Sequence, residues 1–185
     1  MPNILMSIVL IGMKGCGKTT LGGLLAQELQ LAFIDSDAAI EQMHRQEKGE
    51  ALPFREIFRR HGEEYFSALE ARTLQHIAQE GETTKFVLAC GGQTPLREKN
   101  QQILRKLGPI VFLQIDEPVL LKRILAQGVP AFFPYPDDPA KSLHELLAKR
   151  LPIYKRLADI TVDVSTDAPG EAVHTILAEL AHDKH

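Results

Sequence analysis

Tryptophan is absent from the 185 residues, cysteine occurs only twice, and neither sign of charge dominates. Two cysteines cannot build a disulfide framework, so Cys16 and Cys90 read as free thiols of a reducing compartment, with a small apolar packing role as the default. A net charge of −3 gives no reason to expect nucleic acid or an anionic membrane as partner, and any basic pocket has to be local. The apolar run at the N-terminus, Ile4 to Ile11, lacks a basic leader, is too short to span a bilayer and is needed as a first strand. A cytoplasmic chain is the expectation. Seven histidines, at 44, 61, 76, 144, 174, 182 and 185, show no metal-ligand spacing, so surface roles are expected rather than metal ligation. There is no internal repeat and no low-complexity stretch. A length of 185 residues suits one α/β domain, 1–185, with a full core.

What the chain does have is Gly12-Met13-Lys14-Gly15-Cys16-Gly17-Lys18-Thr19-Thr20, the G-x-x-x-x-G-K-T phosphate-binding loop. Each fixed position has a physical task. The glycines Gly12, Gly15 and Gly17 let successive backbone N–H groups turn inward around an anion. Lys18 brings a point charge to the β and γ phosphates, and the Thr19 hydroxyl can hold Mg²⁺. The context fits the pattern. Ser7 to Ile11 is an apolar, β-branched run that reads as a buried strand, and leucines at 21, 24, 25 and 29 give a helix from Thr20 to Leu29. Strand, loop and helix place a helix N-terminus on the phosphates.

Strands and helices alternate along the rest of the chain, which predicts a parallel sheet covered on both faces. A short strand Leu31 to Ile34 ends in Asp35-Ser36-Asp37. A helical region from Ala38 to Gln79 is broken near Gly49 to Pro53 and near His61-Gly62. Strand Phe86 to Ala89 ends at Cys90-Gly91-Gly92, and a helix runs from Pro95 to Leu107. Strand Ile110 to Ile115 and helix Pro118 to Ala126 follow. Residues 127–139 then hold four prolines and a glycine, a long connection that reads as a functional loop. A helix from Ser142 to Leu157, a strand Ile160 to Val164 and a helix from Pro169 complete the order. Asp35 and Asp37 stand at the C-terminal end of a strand, where open α/β sheets bind ligands, and strand alternation would point them the same way. Alternatively, one of them, with Asp37 well placed for it, N-caps the helix starting near Ala38.

In this order the P-loop, Asp35-x-Asp37, Phe58 with Gly62-Glu63 and Phe66, Gly91-Gly92, and Ala148-Lys149-Arg150 through Tyr154 resemble shikimate kinase, a P-loop kinase of the nucleoside-monophosphate-kinase type. The resemblance spans essentially the whole chain. It implies a P-loop NTPase fold with a five-stranded parallel sheet and helices on both faces. It also implies substrate-binding helices at about 36–80 and a lid at about 126–140. The implied activity uses ATP and Mg²⁺ to phosphorylate a ring hydroxyl, a step of aromatic amino acid biosynthesis, and the family is commonly monomeric. By resemblance, Gly12, Gly15, Gly17, Lys18, Thr19 and Thr20 hold the nucleotide, with Arg123 and Pro169 beside adenine. Thr19 and Asp35 serve Mg²⁺. Asp37 meets the acceptor hydroxyl and can take its proton. Gly91, Gly92, Gln93 and Arg150 line the acceptor site, Arg150 as a fork on a carboxylate, which suits a guanidinium. Arg150 is read as lying at the end of a helix, with Pro152-Ile153-Tyr154 as its stop.

Three departures bear on the acceptor. The family arginine that follows the phenylalanine of Gly-Glu-x-x-Phe and binds the shikimate carboxylate is Ser67 here. Glu70, whose counterpart pairs with that arginine, is expected to face the pocket as bare negative charge. The third glycine of Gly-Gly-Gly is Gln93, which either reads a hydroxyl or amide or sits at the surface of a reshaped turn. The lid arginine that closes on the transferring phosphoryl is Pro130, and losing such a residue can lower the rate roughly 10³-fold. Lys14, third residue of the P-loop, either supplies some of that charge or faces solvent. If it supplies charge, Lys14→Met lowers kcat far more than it changes ATP affinity, and an unchanged kcat refutes the role. The readings left open are shikimate bound in an altered way, another small hydroxylated acceptor, and a nucleotide-binding regulator with little catalysis.

Overall fold

The computed structural model describes residues 6–130, 132–166 and 168–182. Ile4 and Leu5 of the first apolar run, Ala131 of the lid and His185 lie outside the described residues. The order is β1 (Ile8–Ile11), α1 (Lys18–Leu29), β2 (Ala32–Asp35), α2 (Ser36–Lys48), α3 (Phe54–Glu80) and β3 (Phe86–Ala89). A single 3₁₀ turn, Thr94–Leu96, leads to α4 (Glu98–Leu107), β4 (Ile110–Gln114), α5 (Glu117–Leu125), α6 (Pro139–Leu157), β5 (Ile160–Asp163) and α7 (Pro169–His182).

The five strands form one parallel sheet in the order β2-β3-β1-β4-β5. Every residue of β1 and β3 is buried, although successive side chains point to opposite faces, so both faces are covered there. The edge strand β5 instead alternates buried and exposed. The register determines where the site lies. Leu10 and Asp35 flank Ala89, so the P-loop, the Asp35 turn and Cys90-Gly91 leave the sheet side by side at its C-terminal edge.

Three local expectations change. Asp37 does not end a strand: α2 begins at Ser36, so strand alternation does not relate the two aspartates. Asp35 is the N-cap, its Oδ1 accepting from the amides of Asp37 (3.0 Å) and Ala38 (3.4 Å), because it alone has the extended backbone a cap requires. Pro152 does not stop α6, which runs on to Leu157 through it, held by a buried stripe of Leu147, Arg150, Tyr154 and Leu157. Pro139 does not belong to the irregular loop but opens α6 within the first turn, where a missing N–H has no partner to lose. Gly62 breaks α3 with φ 81° and ψ 176°, next to His61.

Candidate active site

β1 delivers the chain into the P-loop with Gly12 at φ 150°, and a Cβ there would stand 2.9 Å from both Cys16 Sγ and the Leu113 carbonyl. Only glycine fits. Gly17 caps α1 without any side-chain bond, and no acidic residue occupies the first turn of α1. The leading amides of the helix therefore keep their affinity for an anion. Lys18 is buried and lies across the loop, donating to the carbonyls of Gly12 (2.9 Å) and Met13 (2.8 Å). Cys16 is buried beneath it, 3.7 Å from its ammonium, so it is packed rather than exposed to oxidants. Burial likewise pushes the Cys90 thiol far up.

Thr19 donates to Asp35 Oδ2 at 3.1 Å, and both residues are open to solvent to some degree. Since the other Asp35 oxygen caps α2, this carboxylate is fixed at both ends, and hydroxyl plus carboxylate is a hard oxygen pair that suits Mg²⁺. Asp37 is half-buried in the first turn of α2. Its burial, then the charges of Asp35, Glu70 and Glu41, raise its pKa to about 6, against the pull of Lys18. A carboxyl tuned upward toward neutrality beside a phosphate loop is a fitting proton acceptor. Gly91 makes room for it, since a Cβ at 91 would lie 2.5 Å from Asp37 Oδ1. Gly91→Ala is therefore expected to displace Asp37 and reduce kcat at least about 10-fold with the fold intact, measured by ADP release.

Gly92 approaches the P-loop backbone: a Cβ there would lie 3.5 Å from the Gly12 oxygen and the Lys14 nitrogen, and 3.8 Å from Arg150 Nη1. Its carbonyl accepts from the Tyr154 hydroxyl. Arg150 reaches this point from the buried face of α6. It meets the Tyr154 hydroxyl and, at 3.7 Å, Met13 Sδ, and none of the described ion pairs uses it. Gln93 is exposed at φ −99°, a backbone any residue can adopt, which explains why the third glycine is dispensable in this turn.

Glu70 corrects the expectation of a bare charge. It is buried and saturated, accepting from Thr94 Oγ1, Arg97 Nη1 and Asn100 Nδ2, each at 2.8 Å. Arg97 substitutes for the arginine missing at 67, and this was not apparent because residues 70 and 97 belong to separate elements. Ser67 is half-buried on α3. Lys14 is half-buried, with its ammonium 6.0 Å from the centre of the Phe132 ring. Burial first, then Arg55, lowers its pKa, while Asp37 raises it. Arg55, at the start of α3, is thus a second cation near this mouth that the motifs did not flag.

The lid is tied down at its α6 end. Ser142 is buried, donating to the Tyr135 carbonyl at 2.8 Å and accepting from its amide at 2.9 Å, and Phe133 joins the core. Arg123 donates to the carbonyls of Val164 (3.2 Å) and Thr166 (3.1 Å). It lines a cleft of about 270 Å³ with Gly15, Gly17, Thr20 and Pro169, which puts the two expected adenine neighbours beside the P-loop.

One histidine contradicts the surface expectation and brings a second, partly exposed one beside it. His44 is fully buried, and its ring lies 5.1 Å from that of His61 because α2 and α3 fold back on one another.

The chain matches the family model for shikimate kinase over residues 14–181. Shikimate kinase of Nitrobacter winogradskyi is 38% identical over 165 residues, 89% of this chain and 72% of that protein. Shikimate kinase of Neisseria meningitidis is 34% identical over 181 residues, 98% of this chain and 99% of that one. Among solved structures, shikimate kinase from Acinetobacter baumannii in complex with shikimate superposes with a TM-score of 0.82 at 28% identity, covering 98% of this chain and 96% of that one. A gluconokinase from Sinorhizobium meliloti, at 23% identity and TM-score 0.61, shares the fold. The glycine loop, the aspartate turn and the glycine pair thus meet at the sheet edge of a chain that belongs to the shikimate kinase family, small-molecule kinases that transfer a phosphoryl group from ATP to shikimate.

Proposed function

We propose that this chain transfers the γ-phosphoryl of ATP to a hydroxyl of shikimate, acting as one domain over 1–185, as a monomer in the cytoplasm. The observation that carries the reading is Asp37: a half-buried carboxyl with its pKa raised to about 6, lodged against Gly91 and within the field of Lys18. In this reading Gly12, Gly15, Gly17, Lys18, Thr19 and Thr20 hold the triphosphate, and Arg123 and Pro169 border the base. Thr19 and Asp35 hold Mg²⁺, which when bound neutralises charge on the phosphates. Asp37 accepts the proton of the attacking hydroxyl. Gly91, Gly92 and the exposed Gln93 border the acceptor, Arg150 grips its carboxylate, and Lys14 meets the phosphoryl group under the lid at about 126–140. The net charge of −3 and the two free thiols support a cytoplasmic enzyme with a small-molecule partner rather than a nucleic acid or a membrane. No helix among the described residues is long and apolar enough to cross a membrane.

The saturation of Glu70 by Arg97 favours an anionic acceptor, because it removes the repulsion that Ser67 would otherwise leave. The test is ADP release with shikimate, run beside a panel of other hydroxylated acids. Shikimate is expected to be the preferred acceptor. A better acceptor in the panel changes the substrate, and release with none of them refutes the kinase reading. Ser67→Arg adds a second fork for the carboxylate and is expected to raise kcat/KM for shikimate about 10-fold. No gain would show that Arg150 alone suffices.

A further inference from the structure

The hairpin of α2 and α3 holds a cluster that phosphoryl transfer does not use. His44 is fully buried on α2, and His61 lies on α3 immediately before the break at Gly62. The Nε2 atoms of both rings are shielded from solvent and have no hydrogen-bond partner among the described residues. Shielded imidazole nitrogens without partners carry a desolvation penalty that nothing offsets, and two at one place need an explanation. Glu50 lies across from them, just past the left-handed Gly49 that turns the chain out of α2. One ligand atom from each of His44, Glu50 and His61 lies within 4.8 Å of the other two.

We propose that His44 Nε2, His61 Nε2 and the Glu50 carboxylate form a binding site for a divalent transition metal ion of the Zn²⁺ type. The donor set selects the class. Imidazole nitrogens suit Zn²⁺ and its neighbours and are poor ligands for Mg²⁺ or Ca²⁺, and two histidines with one carboxylate leave a fourth position for water. Bonds of about 2.0–2.1 Å in a tetrahedron hold ligand atoms about 3.4 Å apart, closer than the 4.8 Å within which these three lie, and the exposed Glu50 side chain on its loop is the one free to close inward. Behind the first ring, the Tyr65 hydroxyl stands 2.9 Å from His44 Nδ1. With Nδ1–H donating to it, Nε2 is left with its lone pair directed at the ion. Of the neighbouring charges, Glu47 is paired with Arg72 at 2.8 Å, and the Lys48 ammonium lies 5.8 Å from the centre of the Tyr65 ring. Glu50 is therefore left as the anion that faces the ion.

The ion would fasten the loop after α2 to the kink of α3. The far end of α2 carries Asp37, and α3 carries Ser67 and Glu70, so the bound metal would set the angle of the hairpin that forms the acceptor side. Its role is structural or regulatory.

The test uses the full chain stripped with a chelator and kept in excess Mg²⁺, so that the Thr19–Asp35 pair is occupied. Calorimetric titration with Zn²⁺ is expected to show one equivalent bound. Co²⁺ is expected to give the intense visible bands of a four-coordinate site, and the thermal midpoint is expected to rise. His61→Gln and Glu50→Gln, which spare the fully buried His44, are each expected to weaken binding at least about 10-fold and to cancel the thermal rise while far-UV dichroism stays native. Binding that is absent or sub-stoichiometric overturns the proposal, as does equal affinity in the three proteins. None of these readouts involves ATP or an acceptor.

Discussion

Asp37→Asn is expected to lower kcat by a factor of about 10²–10⁴, the usual contribution of a positioned general base, with little change in ATP affinity. The amide keeps the size of the carboxyl and its place against Gly91 but cannot take a proton. The native enzyme gives the matching signature in pH. A base works only when ionised, so kcat should be level above Asp37's pKa of about 6 and fall tenfold per unit below it. The stability effect has the opposite sense. The folded chain binds this proton more tightly than the unfolded chain, whose carboxyl titrates near 3.8. The associated stability is complete below that value and is lost as pH rises to about 6. Asp37→Asn has no such loss, so its thermal midpoint should exceed that of the native chain above pH 6 and converge with it near pH 4. A flat pH profile with an active Asp37→Asn variant would remove Asp37 from the chemistry.

The second large effect is at Arg150. Arg150 is 8% exposed, and its guanidinium has a sulfur and a hydroxyl as neighbours in place of a carboxylate. Holding a charge there is expensive unless a ligand anion supplies the missing partner. Arg150→Met keeps most of the volume and removes the charge. It is expected to lower kcat/KM for shikimate by about 100-fold or more, with the loss mainly in KM for the acceptor and not in KM for ATP. The same substitution should leave the thermal midpoint unchanged or raise it. A residue kept only for stability would behave the other way round, losing stability while sparing acceptor KM, so one variant distinguishes the two roles. The Lys14 and Arg55 side chains are not substitutes for this fork, since the Lys14 ammonium is directed toward the Phe132 ring of the lid and lies in the field of Asp37 and Arg55, whereas the Arg150 guanidinium meets Met13 Sδ and the Tyr154 hydroxyl.

How far the sequence reached depended on how local the physics was. The P-loop could be read because its work is done within nine consecutive residues: the glycine dihedrals, the uncapped helix start and the lysine that folds back on Gly12 and Met13 are all short-range. A parallel sheet covered on both faces followed from the alternation of strands and helices and from the need to bury continuous apolar runs such as Ile8–Ile11, whereas the strand order β2-β3-β1-β4-β5 came only from the structure. Local rules misjudged the aspartate turn by one element. Asp35 rather than Asp37 caps α2, a choice made by a backbone that leaves β2 in register with Ala89. The reading of a helix to Leu157 matches α6, but reading Pro152-Ile153-Tyr154 as a stop beside Arg150 does not hold, because a proline that would end an isolated helix is carried by the burial of Tyr154 and Leu157 beyond it.

Contacts between distant segments lay beyond the sequence altogether. Glu70 was expected to be an orphan because its partner was sought one turn away at 67, whereas Arg97 reaches it from the approach to α4. His44 and His61, 17 positions apart, showed no ligand spacing because only the fold-back of α2 on α3 makes them neighbours. The register of β2, β3 and β1 brought Asp35 and Gly91 to one edge, but the sequence by itself determined that a phosphate loop opens a parallel α/β sheet and that both residues stand at or just past the ends of strands. Those assignments rest on dihedral freedom, side-chain period and chain order, which short segments carry. Tertiary structure alone decided which charges are paired, which are buried without a partner and which residues crowd Asp37. Pairing and desolvation depend on what a distant stretch of chain brings within a few ångströms.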